Sequence, residues 1–260
     1  MFLSFTEYMK GSMTSTARLL AFGDVHGVQY LGVLRASLKS IQPEGLHAIL
    51  LAGDIIDRGD VSGMNMVLSE LTSRFKDVPI VSVFGNDEYH EVEDYLIKNF
   101  SYVVWLNDSL TVLRAGDITI GIVGSRGSLD RLTYWQSKNM PQLETVYKRR
   151  VSVLRKLLEE VSKVSDIAIL LTHYAPTYQT IKGEPEKIYP YMGCRHLEEV
   201  IREVKPDVAI HAHAHNATVT EAVIGLTRVY NVSLPARKGV THISVAPRVK
   251  LVRMGTGAQR

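Results

Sequence analysis

Cysteine is almost absent: Cys194 is the single thiol in 260 residues. No internal disulfide can brace such a fold, and the chain reads as an intracellular, cytoplasmic protein. Long apolar stretches are missing too; none reaches the roughly 18 residues of a membrane span. The segment Met1–Met13, with Glu7 and Lys10, lacks the apolar centre of a secretory signal. No membrane partner is expected. Nor is there a strong excess of one charge: 30 Lys and Arg face 27 Asp and Glu, a net +3, which suits an anionic ligand without demanding nucleic acid. Internal repeats and low-complexity tracts are lacking. Hydrophobic residues make up 45% and charged residues 22%, so a sizeable core can form and global disorder is not expected. Residues 1–16 are expected to be a flexible leader, with Met13 as an alternative start, and residues 17–260 a single domain with no internal boundary.

What the chain does have is a set of five apolar runs, each ending in residues that bind metals. Leu19–Phe22 runs into Gly23-Asp24-Val25-His26-Gly27, Ile49–Ala52 into Gly53-Asp54, and Ile80–Phe84 into Gly85-Asn86-Asp87. Ile167–Leu171 runs into Thr172-His173, and Val208–Ile210 into His211-Ala212-His213-Ala214-His215. Short apolar runs of this kind read as buried strands. If they lay side by side in one largely parallel sheet, their carboxyl ends would share one rim, where open α/β sheets place their sites. Carboxylates, an amide oxygen and imidazoles would then meet in one cleft, in sufficient number for two divalent cations.

The first hundred residues alternate strands with helices. Arg18–Phe22, Ala48–Ala52 and Pro79–Phe84 read as strands; 28–41, 62–75 and 87–98 read as helices, the first with Leu31, Leu34, Leu38 and Ile41 on one face. That alternation implies parallel pairing and right-handed crossovers. Thr111–Ala115 and Ile118–Val123 flank a hairpin-like Gly116-Asp117, and a long helix over 142–163 precedes the strand Ile167–Leu171. Val219–Val223, Arg228–Val232 and Arg248–Arg253 read as antiparallel strands. The expected class is α/β: a layered α-β-β-α sandwich with mixed, largely parallel sheets and a metal site at the strand C-terminal ends.

Taken singly, most of these residues are ambiguous. Asp24 reads equally as a turn cap, Asn86 as a turn residue, and His173 as a satisfied core histidine. Asp54 differs in that a carboxylate can bridge two metals, which an imidazole cannot. Three histidines separated only by alanines, His211, His213 and His215, have little structural excuse and favour Zn, Mn or Fe.

Together, Gly23-Asp24-Val25-His26-Gly27, Gly53-Asp54-Ile55-Ile56-Asp57-Arg58-Gly59, Gly85-Asn86-Asp87-Glu88, His173 and Ala212-His213-Ala214-His215 resemble the calcineurin-like metallophosphoesterase superfamily, from about Arg18 to Thr220. The resemblance implies two divalent metal ions, of Mn, Fe, Zn or Co. Asp24, His26, Asp54 and His215 would hold one; Asp54 would bridge to a second, held also by Asn86, His173 and His213. The implied chemistry is hydrolysis of a phosphodiester or activated phosphomonoester by a metal-bound hydroxide, with Asn86, Asp87 and His213 as candidate catalytic residues. A phosphoprotein phosphatase, a nuclease, or a protein-interaction scaffold of the same fold are the alternatives.

Two positions depart from the family pattern. Asp87 stands where the family has a His that helps to protonate the leaving group, and Ala212 stands where it has Gly. The second departure leaves the register open between His211/His213 and the preferred His213/His215. Arg58 reads as a phosphate contact or a surface salt bridge, and Arg126 as a substrate contact from a strand end. A small phosphate ester is the expected partner. Lys148-Arg149-Arg150 with Arg155 and Lys156 reads first as a solvated helix face and only weakly as a nucleic-acid contact. Tyr134-Trp135 and the Tyr- and Pro-rich segment 174–191 read as a pocket wall, as core packing or, in a homo-oligomer, as a contact. His47, His90, His196 and His242 read as surface or structural, and Cys194 as a helix-start or packing residue.

Overall fold

The computed structural model describes residues 16–247. The expected leader lies, apart from Thr16, outside the described residues, as does the expected strand Arg248–Arg253.

Strand β1 (Ala17–Phe22), helix α1 (Leu31–Leu38), β2 (Ala48–Leu51), α2 (Ser62–Arg74), β3 (Ile80–Val83), α3 (His90–Asn99) and β4 (Val103–Leu106) follow one another in sequence. The four strands pair in parallel, as strand–helix alternation requires. The chain then crosses to a second sheet through the hairpin β5 (Ser109–Ala115) and β6 (Ile118–Ser125). Short α4 (Tyr134–Asn139) and long α5 (Leu143–Val164) lead to β7 (Ile167–Thr172), and α6 (Arg195–Val204) leads to β8 (Val208–His211). The strands β9 (Glu221–Ile224) and β10 (Thr227–Asn231) follow. A one-turn α7 (Leu234–Arg237) then returns the chain to the first sheet as β11 (Thr241–Val245), antiparallel to β1. The strand orders are β11-β1-β2-β3-β4 and β5-β6-β7-β8-β10-β9.

Three apolar layers hold these elements. Between the sheets lie Leu19, Ala21, Leu50, Val81 and Val83 against Ile120, Ile122, Ile169, Leu171 and Ile210. The alternate residues Leu20, Phe22, Ile49 and Leu51 face outward under Leu34, Met64, Leu68, Leu71 and Leu96 of α1–α3. On the far side, Leu170 and Ala209 meet Leu154, Leu158 and Val161 of α5 and Leu197 and Ile201 of α6. Strands buried on both faces explain why the sequence shows continuous apolar runs and not alternation. The result is the expected α-β-β-α sandwich.

Several expectations need correction. The five metal-bearing strands do not share one sheet: β1, β2 and β3 belong to the first, β7 and β8 to the second. Their ends still meet, because the His173 ring hydrogen-bonds the Ala52 carbonyl across the two sheets. Helix α1 starts at Leu31, after turns in which His26 and Gly27 take positive φ, and α3 starts at His90, because residues 86–88 serve the site. Strand β10 pairs antiparallel with β9 but parallel with β8. Strands β4 and β11 and helix α6 complete the fold without having been expected.

Candidate metal centre

The strand ends turn sharply. Asp24, His26, Asp54 and His213 have φ of 56°, 47°, 50° and 71°, a left-handed backbone that costs an L-residue roughly 1–2 kcal/mol and that clusters at functional sites. The turn after β2 is pressed against the turn after β3. A Cβ on Gly85 would stand 2.1 Å from Asp54 Oδ1 and 2.4 Å from Asp54 N, so only glycine allows that approach. Buried Glu88 locks the two turns together: Oε2 accepts from the backbone N–H of Asp54 (2.8 Å) and Gly85 (2.6 Å), and Oε1 from Ile55 (2.8 Å) and Ile56 (3.1 Å).

Around these turns the polar side chains form two adjoining groups. In the first, ligand atoms of Asp24, His26 and His215 all lie within 4.8 Å of one another; in the second, those of Asp54, His173 and His213 do. Asp87 joins His26 and Asp54 in a third, overlapping set. Asn86 Oδ1 is 3.0 Å from His173 Nε2, which is 3.4 Å from Asp54 Oδ2. His215 Nε2 lies 3.3 Å from both Asp24 Oδ2 and His26 Nε2. The first sheet thus supplies the carboxylates, the amide and one imidazole, and the second sheet three imidazoles.

Charge in this cleft is poorly compensated by protein alone. Burial raises the Asp54 carboxyl well above the usual carboxylate range, and the charges of Glu88, Asp24 and Asp87 push in the same direction. Burial would raise Asp24 as well, but hydrogen bonding to His215 and the charges of His173 and His215 hold it low. Burial pulls His173 down to about 4 and keeps His213 well below its ordinary value, which leaves both imidazoles neutral. His215 is raised: burial opposes its charge, but the hydrogen bond to Asp24 prevails.

The donor set fits divalent metal binding. Hydrogen-bond partners assign the histidine tautomers: His173 Nδ1–H donates to the Ala52 carbonyl (2.9 Å), which leaves the Nε2 lone pair facing the oxygens of Asn86 and Asp54. With Asp54 ionised, these acceptors face one another with no donor between them, an arrangement that a cation would relieve. Asp24 Oδ1 is buried with no hydrogen bond of good geometry among the described residues, and the nearby Ser233 hydroxyl helps to hold the carboxyl low. Neutral imidazole with carboxylate and carbonyl oxygens suits Zn, Mn, Fe or Co.

Other expected residues are placed elsewhere. His211 stays on β8, fully buried, with Nε2 2.6 Å from Thr180 Oγ1 and Nδ1 2.7 Å from the Ala212 carbonyl. Arg126 does not face the open cleft. Its Nη1 donates to the Gly85 carbonyl and its Nη2 to the Glu88 carbonyl (2.9 Å) and Glu93 (2.5 Å). The end of β6 sets its guanidinium behind the Gly85 turn, where carbonyls and an acid call for a cation. Arg58 is exposed, with a φ of 42°, and pairs with Asp57 at 3.3 Å. Tyr174 is buried edge-on against His213, whereas Tyr134 and Trp135 are exposed on α4. Cys194 precedes α6, its thiol pushed up to about 12 by burial. Sequence reasoning missed the roles of Glu88 and of Glu184, whose carboxylate accepts from the Asn216 backbone (2.8 Å) and so steadies the turn carrying His215. Glu88 was signalled only by its place beside the Asn86-Asp87 pair; Glu184 by nothing local.

The model of the family described as calcineurin-like phosphoesterase matches residues 17–217. Among solved structures, phosphopantetheinyl hydrolase from Mycobacterium tuberculosis superposes with a TM-score of 0.65 at 16% identity, over 87% of this chain and 92% of that one. A putative 5′-nucleotidase from Staphylococcus aureus gives 0.56 at 15% identity, over 90% of this chain and 53% of that one. A purple acid phosphatase from yellow lupin seeds gives 0.52 at 15% identity, over 92% and 47%. This chain spans about half the length of the latter two. At such identities the likeness is one of fold. No curated protein matches the chain.

Proposed function

The chain belongs to the calcineurin-like phosphoesterase family and is a metal-dependent phosphoric ester hydrolase, and from that premise we propose that it works with two divalent metals on a phosphodiester or an activated phosphomonoester. Asp24, His26, Asp54 and His215 would hold one metal; Asp54, Asn86, His173 and His213 would hold the other. The observation that carries this reading is the meeting of carboxylate and imidazole donors from both sheets within two adjoining groups, with the Asn86 amide oxygen beside the second. When bound, two such cations supply Lewis-acid charge to the phosphoryl oxygens and lower the pKa of a water.

The chain's own residues define the rest of the reaction. Asp54 belongs to the second group and also joins His26 and Asp87 in the third, so its carboxylate would be available to both metals. Exposed Arg58 stands near Asp87 and offers a guanidinium to an incoming phosphate. Asp87 stands at the position where the family resemblance expects a proton donor for the leaving group. Burial alone would raise its carboxyl, but the hydrogen bond and charge of His26, the Arg58 backbone and Asn86 outweigh this and hold it low. A group held ionised does not donate a proton near neutral pH, which favours esters whose leaving groups need none. A small phosphate ester is the substrate class this cleft favours.

The test is Asp54→Ala, measured by metal content and by turnover of a panel of phosphomonoesters, linear diesters and cyclic nucleotides under Mn, Fe, Zn and Co. Loss of both metals and of activity is expected. A variant that keeps two metals and near-parental turnover would refute the assignment.

A further inference from the structure

Asp87 makes a set of contacts that a proton donor would not need. One carboxylate oxygen, Oδ2, lies 3.0 Å from His26 Nδ1. The other, Oδ1, accepts from Asn86 Nδ2 at 3.0 Å. The Asp87 backbone N–H donates to Asp54 Oδ1 at 2.8 Å. His26 and Asp87 are both nearly buried, with side chains 11% and 14% exposed, so water competes little for these bonds.

We propose that Asp87 is a positioning residue that ties the ligands of both metal positions into one unit, turning His26 Nε2 and Asn86 Oδ1 toward the metals. This rests on the two-metal reading above. The two nitrogens of a neutral imidazole play opposite parts, and the partner of one decides the task of the other. With Nδ1–H donating to Asp87, the lone pair of His26 sits on Nε2, the atom that faces His215 Nε2 at 3.3 Å. A carboxylate behind a ligating histidine fixes both tautomer and ring orientation. The same logic settles the amide: an NH2 donating to Asp87 leaves Asn86 Oδ1 toward His173 Nε2 at 3.0 Å.

Only a carboxylate suits both tasks. It accepts two hydrogen bonds on separate oxygens, whereas a neutral histidine offers one acceptor nitrogen and could hold His26 or Asn86 but not both. Aspartate at position 87 thus exchanges a proton donor for a brace that spans the two metal positions and, through its N–H, the carboxylate between them.

The experiment uses the full chain and Zn²⁺ alone. Metal-free parent, Asp87→Asn and Asp87→Ala are titrated with Zn²⁺ against a competing chelator, and the His26 tautomer is read by ¹⁵N NMR in the metal-free state. Loss of an orienting carboxylate lowers metal affinity by about 10–100-fold, and that fall is expected for Asp87→Ala, with Asp87→Asn between it and the parent. In Asp87→Ala, His26 should leave the Nδ1–H form that dominates in the parent, and in Asp87→Asn, whose single amide oxygen must serve both His26 and Asn86, that form should be less populated. The tautomer reading separates orientation from general loss of structure, and Asp87→Asn, nearly isosteric, keeps the test available where the alanine variant folds poorly. A parent that binds two Zn²⁺ while both variants bind within twofold of it, with the tautomer unchanged, overturns the role of Asp87 and leaves the two-metal reading standing. Complete loss of one Zn²⁺ equivalent in Asp87→Asn makes Asp87 a ligand and overturns it likewise. A parent that binds no Zn²⁺ fails the two-metal reading itself.

Discussion

Replacing Gly85 by alanine adds one methyl group, and the structure says where it lands. The new Cβ would stand 2.1 Å from Asp54 Oδ1, 2.4 Å from Asp54 N and 2.8 Å from Asp54 Cγ, where real contacts do not fall below 3.0 Å. The backbone nitrogen cannot rotate aside, and Glu88 Oε2 pins it at 2.8 Å. Asp54 must therefore retreat by about 1 Å, a displacement that costs on the order of 100-fold in rate when it moves a catalytic group. Overpacking at so rigid a point should also cost about 1–3 kcal/mol, or about 2–4 °C of Tm for each kcal/mol in a chain of this size. Gly32→Ala is the matched control: it lies in α1 with nothing within 4 Å of the added carbon, and it should be neutral or stabilise by about 0.5–1 kcal/mol. The assay is hydrolysis of bis-p-nitrophenyl phosphate at saturating metal, with thermal melting of both variants in metal and in EDTA. A Gly85→Ala protein within threefold of the parent in rate and within about 0.5 kcal/mol in stability would show that Asp54 need not stand where the structure puts it.

Three further outcomes are expected. His213→Ala and His215→Ala should each lose a metal and most activity, whereas His211→Ala should keep both metals but melt lower, because its buried bond to Thr180 is lost; a dead His211→Ala beside an active His215→Ala would shift the register by two residues. Burial lowers His173 and His211 to about 4 from an ordinary 6.5, so their contribution to the stability of metal-free protein should be lost as pH falls from about 6.5 to about 4, against the opposite contribution of the raised Asp54 and Glu88 carboxyls; a His211→Gln protein with the same pH dependence as the parent in urea melts in EDTA would contradict this. With Asp87 committed to His26 and Asn86, aryl esters should turn over far faster than alkyl esters of the same phosphoryl centre, and a shallow plot of log rate against leaving-group pKa would mean that another acid protonates the alcohol.

Much of this was legible because it is local. A strand buried on both faces writes itself as an apolar run, and a residue beside its end cannot be far from the sheet rim, so the sequence could place Asp24, Asp54, Asn86 and His173 at strand ends although each alone was ambiguous. The ordering of the sheets was less legible. The split of five metal-bearing strands between two sheets depends on where β4 turns into β5, and Leu106-Asn107-Asp108-Ser109 carries no mark of that crossing. Strand β11 was missed because Thr241–Val245 alternates buried and exposed residues at a sheet edge instead of forming an apolar run, and its His242 is exposed and has no motif around it. Arg126 was misplaced for a related reason: its acceptors, the carbonyls of residues 85 and 88 and the acid of Glu93, lie more than 30 positions away. Side-chain direction at a strand end is decided by partners brought from a distance, and one-dimensional pattern does not record them.

The division of the cleft between two sheets has a consequence for how the protein is made. A ribosome delivers Asp24, His26, Asp54 and Asn86 early, with β1 to β3, but His215 only after more than 120 further residues. The first sheet is itself unfinished until Thr241–Val245 returns to flank β1. A partly synthesised chain therefore presents carboxylates and an amide without most of their imidazole counterparts, a harder and weaker site than the finished one. Domains fold as units once their parts have emerged, and here the last parts to emerge include those that complete the cleft. A chain stopped before Val208 would keep the donors of the first sheet and lack His213 and His215.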